Sequence, residues 1–211
     1  VIDLYYMPGS AAMAPHALLE EIGADYRLVR VNRDDGKVEP AEFVRLSPTG
    51  RVPLLVLDGL VLYESAAIVM HLSDSFPEAG LAPAVGTPER ALWYRWLTYL
   101  TNTVQSTFMV FFYPARYTAE AAGADAVKAR AVESLAGMRD LIERELGAAG
   151  PYLLGDRFTS ADLYLYMLTR WGRRTEPKWW AEHALGAHYR LLGERPAIQR
   201  MRDQQGLDDS T

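Results

Sequence analysis

The amino-acid sequence predicts an α/β domain over residues 1–76, a connecting segment over 77–87 and an all-helical domain over 88–211. Three observations predict this order. Residues 1–76 switch between strand-like and helix-like hydrophobic periods, residues 77–87 are rich in Pro, Gly and Ala, and beyond them the apolar residues keep helical spacing.

Ile2, Leu4 and Tyr6 alternate with other residues and predict a first strand. Met7-Pro8-Gly9-Ser10 reads as a loop. Ala14, Leu18 and Ile22 recur at helical spacing and Gly23 follows, so a helix ends there. Tyr26–Val31 predicts a second strand, parallel to the first because a helix connects them. Residues 32–42 read as polar loop, with a short helical turn over Pro40–Arg45. Two strand-like runs, Leu54–Leu57 and Leu60–Tyr63, flank Asp58-Gly59, a strong hairpin signal because both turn positions need positive φ. Ser65 is expected to cap the next helix, whose apolar face holds Ile68, Val69 and Leu72. Strand-helix-strand followed by strand-strand-helix is the thioredoxin-like order.

In the second domain, Thr87-Pro88 supplies an N-cap with proline at the first helical position. A helix from there carries Leu92, Trp93, Trp96, Leu97, Leu100, Val104 and Phe108 until Pro114. A second long helix holds Val127, Leu135, Met138, Leu141, Ile142 and Leu146 and is expected to stop at Gly147. Thr159-Ser160-Ala161-Asp162 is a capping-box variant opening a helix through Trp171, and Pro196 starts another.

The net charge of −5 and the scattered Lys and Arg give no support for a nucleic-acid partner. No apolar run approaches the ~20 residues of a membrane helix. The chain has no cysteine, which excludes disulfides and a protein thiolate and points to a cytoplasmic protein. His16, His71, His183 and His188 have no metal-ligand spacing and read as packing or surface residues; no metal is expected.

Four local features suggest one ligand site. Arg51-Val52-Pro53-Leu54 places a proline at the mouth of a strand, where Val52 can offer its N–H and C=O to an extended peptide if the Val52–Pro53 bond is cis. Glu64-Ser65 opens a helix whose free N–H groups and dipole suit a carboxylate, while the Glu64 side chain suits an ammonium group. Tyr6 and Ser10 bring hydroxyl donors to a loop at the C-terminal end of the first strand. Met7, Phe108, Phe112 and Trp171 are candidates to line an apolar pocket, although each aromatic is equally a core residue.

Taken together, these residues resemble the glutathione S-transferase family. Leu4-Tyr5-Tyr6-Met7-Pro8-Gly9-Ser10 with Pro15-His16, and Leu46-Ser47-Pro48-Thr49-Gly50-Arg51-Val52-Pro53, are similar to the bacterial beta class. Glu64-Ser65-Ala66-Ala67-Ile68 and Leu154-Gly155-Asp156 through Asp162 match further family motifs. The resemblance implies a thioredoxin-like domain followed by a helical domain that lines the electrophile pocket, and a homodimer. It also implies glutathione as co-substrate, its thiolate attacking a hydrophobic electrophile. Glutathione would be bound by Arg51, Val52, Pro53, Glu64, Ser65 and Gln105, with Arg51, Arg33 and Lys37 as candidates for its glycine carboxylate. The beta class usually has cysteine where this chain has Ala11, and its helical-domain histidine aligns with Gln105. Beta-class cysteine chemistry is therefore out of reach. Ser10 is the expected donor to the glutathione sulfur, with Tyr6 as runner-up and Gln105 as a second donor. Conjugation, isomerisation, ether cleavage and peroxide reduction share this site. A non-catalytic glutathione or apolar-ligand binder, or a protein-interaction module, is the alternative.

Overall fold

The computed structural model describes residues 1–34 and 37–208. Its chain divides into two compact units, one formed by Val1–Ala82 and the stretch from Gly193 onward, the other by Pro83–Leu192.

The first unit is built on a four-stranded sheet. The alternating residues at the start form β1 (Ile2–Tyr6), and α1 (Met13–Ile22) follows. Gly23 closes α1 at φ 70°, its N–H reaching the carbonyl of Leu19. The left-handed backbone there favours glycine. β2 (Tyr26–Arg30) then pairs parallel to β1, from Ile2↔Tyr26 to Tyr6↔Arg30. Residues expected as loop form a short hairpin instead, β3 (Asn32–Asp34) with β4 (Lys37–Glu39), before α2 (Ala41–Leu46). In the sequence they flank an Asp-Gly dipeptide, a hairpin signal that the polar composition hid; Asp35 and Gly36 themselves lie outside the described residues.

β5 (Leu54–Leu57) pairs antiparallel to β1 and to β6 (Leu60–Tyr63), giving the strand order β2-β1-β5-β6. The turn between β5 and β6 carries positive φ at Asp58 (48°) and Gly59 (85°), as the dipeptide predicts. α3 (Ser65–Ser75) completes the thioredoxin-like order. Its N-cap is Glu64 rather than Ser65, which is already the first helical residue. Side chains of β1 alternate between two cores. Tyr5 packs with Val31, Phe43 and Leu54, while the Tyr6 ring lies beside His16 of α1.

The second unit is helical. α4 (Pro88–Thr98) is capped by Thr87, whose Oγ1 accepts from the Arg90 N–H at 3.2 Å. The long helix expected to run from here to Pro114 is interrupted: Tyr99–Gln105 is π-helical before α5 (Ser106–Phe112) resumes. α6 (Ala124–Ala149) runs past Gly147, the expected stop, and ends at Gly150, where φ is 130° and Pro151 follows. A lone glycine weakens a helix by only ~1 kcal/mol, so Gly147 is carried through by the surrounding turns. α7 (Ser160–Trp171) is buried from Ser160 to Arg170 and forms the centre of this unit. Its capping box is in place, with the Thr159 N–H donating to Asp162 Oδ2 at 2.8 Å. Trp93 Nε1 donates to Ser160 Oγ and Trp96 Nε1 to the Leu153 carbonyl, which ties α4 to the start of α7. α8 (His183–Gly193) was not expected from the sequence, though Leu185, Tyr189 and Leu192 have helical spacing and are buried. α9 (Pro196–Gln205) starts at Pro196 as predicted and belongs to the first unit, where it packs on α1.

Candidate functional site

Topology gathers three of the predicted features at one end of the sheet of the first unit. Tyr5 pairs with Leu54, and Leu54 with Tyr63. The C-terminal end of β1, the N-terminal end of β5 and the C-terminal end of β6 are therefore neighbours. The Met7–Ser10 loop, Val52-Pro53 and Glu64-Ser65 extend from these three ends. Met7 and Val52 both pack against the Tyr5–Phe43–Leu54 cluster. Ser65, buried, donates its hydroxyl proton to the carbonyl of Ala11 at 3.0 Å and so bonds the first turn of α3 to the loop entering α1.

Within that loop the Ser10 N–H donates to the Met7 carbonyl at 3.2 Å, and the Ser10 carbonyl accepts from the Met13 N–H at 3.0 Å. The Ser10 hydroxyl accepts from the Ala12 N–H at 3.3 Å. That contact uses an oxygen lone pair and leaves the hydroxyl proton for another acceptor. Ser10 is half-buried, whereas Tyr6 is buried beneath the loop.

The Val52–Pro53 bond is cis. Ladder pairing of β5 begins at Leu54, so the main-chain groups of Val52 lie outside the sheet. Glu64 is exposed at φ 73°, one of two described non-glycine residues with positive φ, and its carbonyl accepts from the Ile68 N–H. Such a conformation is uncommon for a residue with a Cβ and tends to mark functional positions. The hydroxyl proton of Ser65 is taken by the Ala11 carbonyl. What remains at this helix start is the oxygen of Ser65 and the free N–H groups of the first turn. Arg51 and Arg33 are both exposed, and Arg33 Nη2 donates to the Gly50 carbonyl. The Lys37 side chain lies outside the described part of the structure.

The remaining predicted residues belong to the second unit. Gln105 ends the π-helical segment, half-buried, and its Oε1 accepts from the hydroxyl of Tyr164. Phe108, Phe112 and Trp171 do meet: ring centroids are 5.8 Å apart for Phe108–Phe112, 6.0 Å for Phe108–Trp171 and 5.8 Å for Phe112–Trp171. Phe108 has no exposed surface and also touches Trp179 at 5.1 Å, so it packs as core; Phe112 and Trp171 are half-buried. Among the described residues no group of three or more His, Cys, Asp or Glu is placed to hold a metal ion, and no helix is long and apolar enough to cross a membrane.

Comparison with known proteins agrees with this layout. Residues 1–74 match the glutathione S-transferase N-terminal domain, and residues 102–190 match its C-terminal domain. The chain is 30% identical over 208 residues to glutathione S-transferase GstA of Escherichia coli O157:H7, covering 98% of this chain and 100% of that one. The chain belongs to the glutathione S-transferase family. Among solved structures, a sphingomonad glutathione S-transferase complexed with glutathione is 34% identical, with a TM-score of 0.86 over 98% of this chain and 100% of the other. The bacterial beta class glutathione S-transferase of Sphingomonas chungbukensis is 30% identical, also with a TM-score of 0.86, over 98% of this chain and 100% of its own. Beta-class members are thus among the family's structural neighbours of this chain, which itself has no cysteine.

One residue set in the first unit of this family member escaped the sequence reading. His16 and Gln205 are buried and hydrogen-bonded to each other, and Gln205 accepts from the main chain of Gly9 beside Ser10. The partners stand 189 positions apart in sequence. The only signal open to sequence reading was a glutamine at a core-facing position of α9, in step with Ile198 and Met201.

Proposed function

We propose that this chain is a glutathione transferase in which the thiolate of bound glutathione attacks a hydrophobic electrophile. The observation that carries this reading is the convergence of the Ser10 loop, Val52-Pro53 and Glu64-Ser65 at one end of the sheet, closed by the Ser65–Ala11 hydrogen bond. An extended tripeptide has matching groups there. Its backbone pairs with the N–H and C=O of Val52. Its γ-glutamyl carboxylate meets the N–H groups at the start of α3, and its ammonium group meets Glu64. Arg51 and Arg33 are the cations proposed for the glycine carboxylate.

The sulfur needs activation, because a free thiol with pKa ~8.5 is mostly protonated at neutral pH. Lowering that pKa by about 2 units takes ~2.7 kcal/mol. One hydrogen bond to a charged sulfur is worth ~1.5–3 kcal/mol, so a single hydroxyl supplies most of it. Ser10 is assigned this role ahead of Tyr6, because its proton is uncommitted and its side chain is half-buried while Tyr6 lies in the core. The thiolate then forms a C–S bond as the electrophile's leaving group departs with its electron pair, or as a double bond takes up the pair. The oxygen of Gln105, in the second unit, is held by the Tyr164 hydroxyl. Glutathione is a co-substrate, and the working form is proposed to be a homodimer in the cytoplasm. Within the second unit, Phe112 and Trp171 are assigned to the electrophile pocket, with Phe108 behind the two rings.

The test is Ser10→Ala, followed by conjugation of glutathione to an activated aryl halide. A fall in kcat/KM with an upward shift of its acid limb supports Ser10; an unchanged value removes it. The absence of cysteine favours keeping a second reading, a glutathione-binding member without turnover. Retention on a glutathione resin with no conjugation of several electrophiles would select it.

A further inference from the structure

We propose that Gln205, on the C-terminal helix, is a positioning residue that holds the Gly9–Ser10 loop together with His16. The functional consequence rests on the role given to Ser10 above; the geometry does not.

Gln205 is 4% exposed, so both ends of its amide must find partners inside the protein. Oε1 accepts from the Gly9 N–H at 3.1 Å, and Nε2 donates to His16 Nδ1 at 2.9 Å. The orientation of the amide follows from chemistry. A main-chain N–H can only donate, so the atom facing Gly9 is the oxygen. The nitrogen then faces His16, and Nδ1 must be an unprotonated acceptor. The neutral imidazole therefore carries its proton on Nε2, which faces Tyr26 Oη at 2.8 Å and Gln204 Oε1 at 2.7 Å. Hydrogen bonds of one sense run from Gly9 to Gln205, and from Gln205 to His16.

Two further observations tie the C-terminal helix to this loop. Gly9 has φ +69°, and the side chain of Leu207 stands 3.7 Å from where a Cβ on Gly9 would be, so the residues after α9 close over the same turn. α9 is itself fastened to α1 by the two-pronged Arg195–Glu21 pair, at 2.6 and 2.8 Å, and by Arg200–Glu20. Ser10 follows Gly9 directly, so the position of its hydroxyl depends on the peptide that Gln205 holds. A reacting group needs placement to a fraction of an ångström, and a misplacement of ~1 Å can cost ~100-fold in rate.

The experiment uses the full chain with glutathione and an aryl halide. Gln205→Met removes both hydrogen bonds at similar volume, Gln205→Glu keeps an acceptor for Gly9, and Ser10→Ala is run alongside. Amide exchange of Gly9, read by NMR, reports the contact without reference to activity. In Gln205→Met, Gly9 exchange is expected to rise and kcat to fall, each by about tenfold, the size of one lost hydrogen bond. The acid limb of kcat/KM is expected to move up while KM for the aryl halide holds. Gln205→Glu is expected to restore Gly9 protection. A folded Gln205→Met with wild-type Gly9 exchange and an unmoved pH profile overturns the proposal. If Gln205→Met does not fold, the His16 titration of Gln205→Glu decides. A carboxylate facing Nδ1 must raise it, and an unmoved titration also overturns the proposal. Ser10→Ala with unchanged kcat/KM, beside faster Gly9 exchange in Gln205→Met, removes Ser10 from its role and leaves Gln205 as the holder of the loop.

Discussion

The hydroxyl of Ser65 donates to the carbonyl of Ala11 at 3.0 Å, joining the first residue of α3 to the loop that leads into α1. Both residues are buried, so the carbonyl has no water to turn to if the serine is lost. An unsatisfied buried acceptor costs ~1–3 kcal/mol. Ser65→Ala is expected to lower unfolding free energy by about 1–2 kcal/mol and to weaken glutathione binding, because it loosens two segments that the proposed site uses together. Urea unfolding and a glutathione titration measure the two effects. If neither changes, the bond does not organise the site.

His16 sets a pH window for stability. It is fully buried, and desolvation pushes its pKa down from 6.5 to about 4, against smaller upward contributions from the hydrogen bond to Gln204 and the charge of Glu20. The groups around it are the Tyr26 hydroxyl, both amides of Gln204 and Gln205, and the ring of Tyr6; Glu20 acts through Tyr26. Between the two pKa values the unfolded chain binds more protons than the folded one, so stability falls as pH falls. The contribution is whole above the unfolded value near 6.5 and is lost as pH drops through about 4, amounting to ~3 kcal/mol. Denaturant unfolding at neutral pH and near the bottom of this window should show that loss in the wild type. His16→Gln, which cannot titrate, should show much less of it. Equal losses in the two proteins would mean that another group governs acid sensitivity.

The elements easiest to read in the sequence were those whose causes are local. Alternation made β1 visible, Gly23 marked the end of α1, and Asp58-Gly59 announced the β5–β6 turn that the positive φ values realise. Each depends on the preferences of a few adjacent residues. The π-helical stretch was not legible, because Leu100 and Val104 suit an ordinary α-helix and the wider i→i+5 turn changes no local preference. Gly147 misled for the opposite reason: a residue with low helix propensity is outvoted by the turns before it, which bury Ile142 and Leu146. In the candidate site, the places of Val52-Pro53 before a strand and of Glu64-Ser65 at a helix start were readable, because both follow from local main-chain preferences. The Gln205–His16 pair was not, since it exists only once α9 has folded back on α1.

Asp162 is the most heavily committed carboxylate described. It is fully buried; Oδ1 accepts from the Leu153 N–H at 2.8 Å and faces His188 Nε2 at 3.2 Å, while Oδ2 accepts from the Thr159 N–H at 2.8 Å and its hydroxyl at 3.0 Å. Removing it strands donors at the entrance to the central helix of the second unit. Breaking a buried charged network from one side costs ~3–5 kcal/mol. Asp162→Ala is therefore expected to lower the melting temperature by about 6–20 °C for a chain of this size. Asp162→Asn should fall between, because its amide keeps one acceptor and turns a donor toward another donor. Calorimetry of the two variants checks the ranking. An alanine variant as stable as wild type would show that these donors find water or other partners.

Phe108 and Phe112 stack on each other but differ in exposure. Phe108 has no exposed surface and is enclosed by Phe112, Trp171 and Trp179, whereas Phe112 is half-buried one helical turn away. Truncating a buried phenylalanine costs ~3–5 kcal/mol, because the cavity it leaves only partly collapses. Phe108→Ala is expected to reach that range and to alter turnover of all electrophiles in the same proportion. Phe112→Ala should cost less than half as much stability and change the ranking of electrophiles of different size, since this ring sits at the surface of the cluster. Unfolding free energies and kcat/KM across a series of alkyl and aryl electrophiles resolve the two residues. If Phe108→Leu reorders the series while Phe112→Leu does not, the assignment of the pocket is reversed: the fully enclosed ring would then be reached by substrate through a movement of the helices around it.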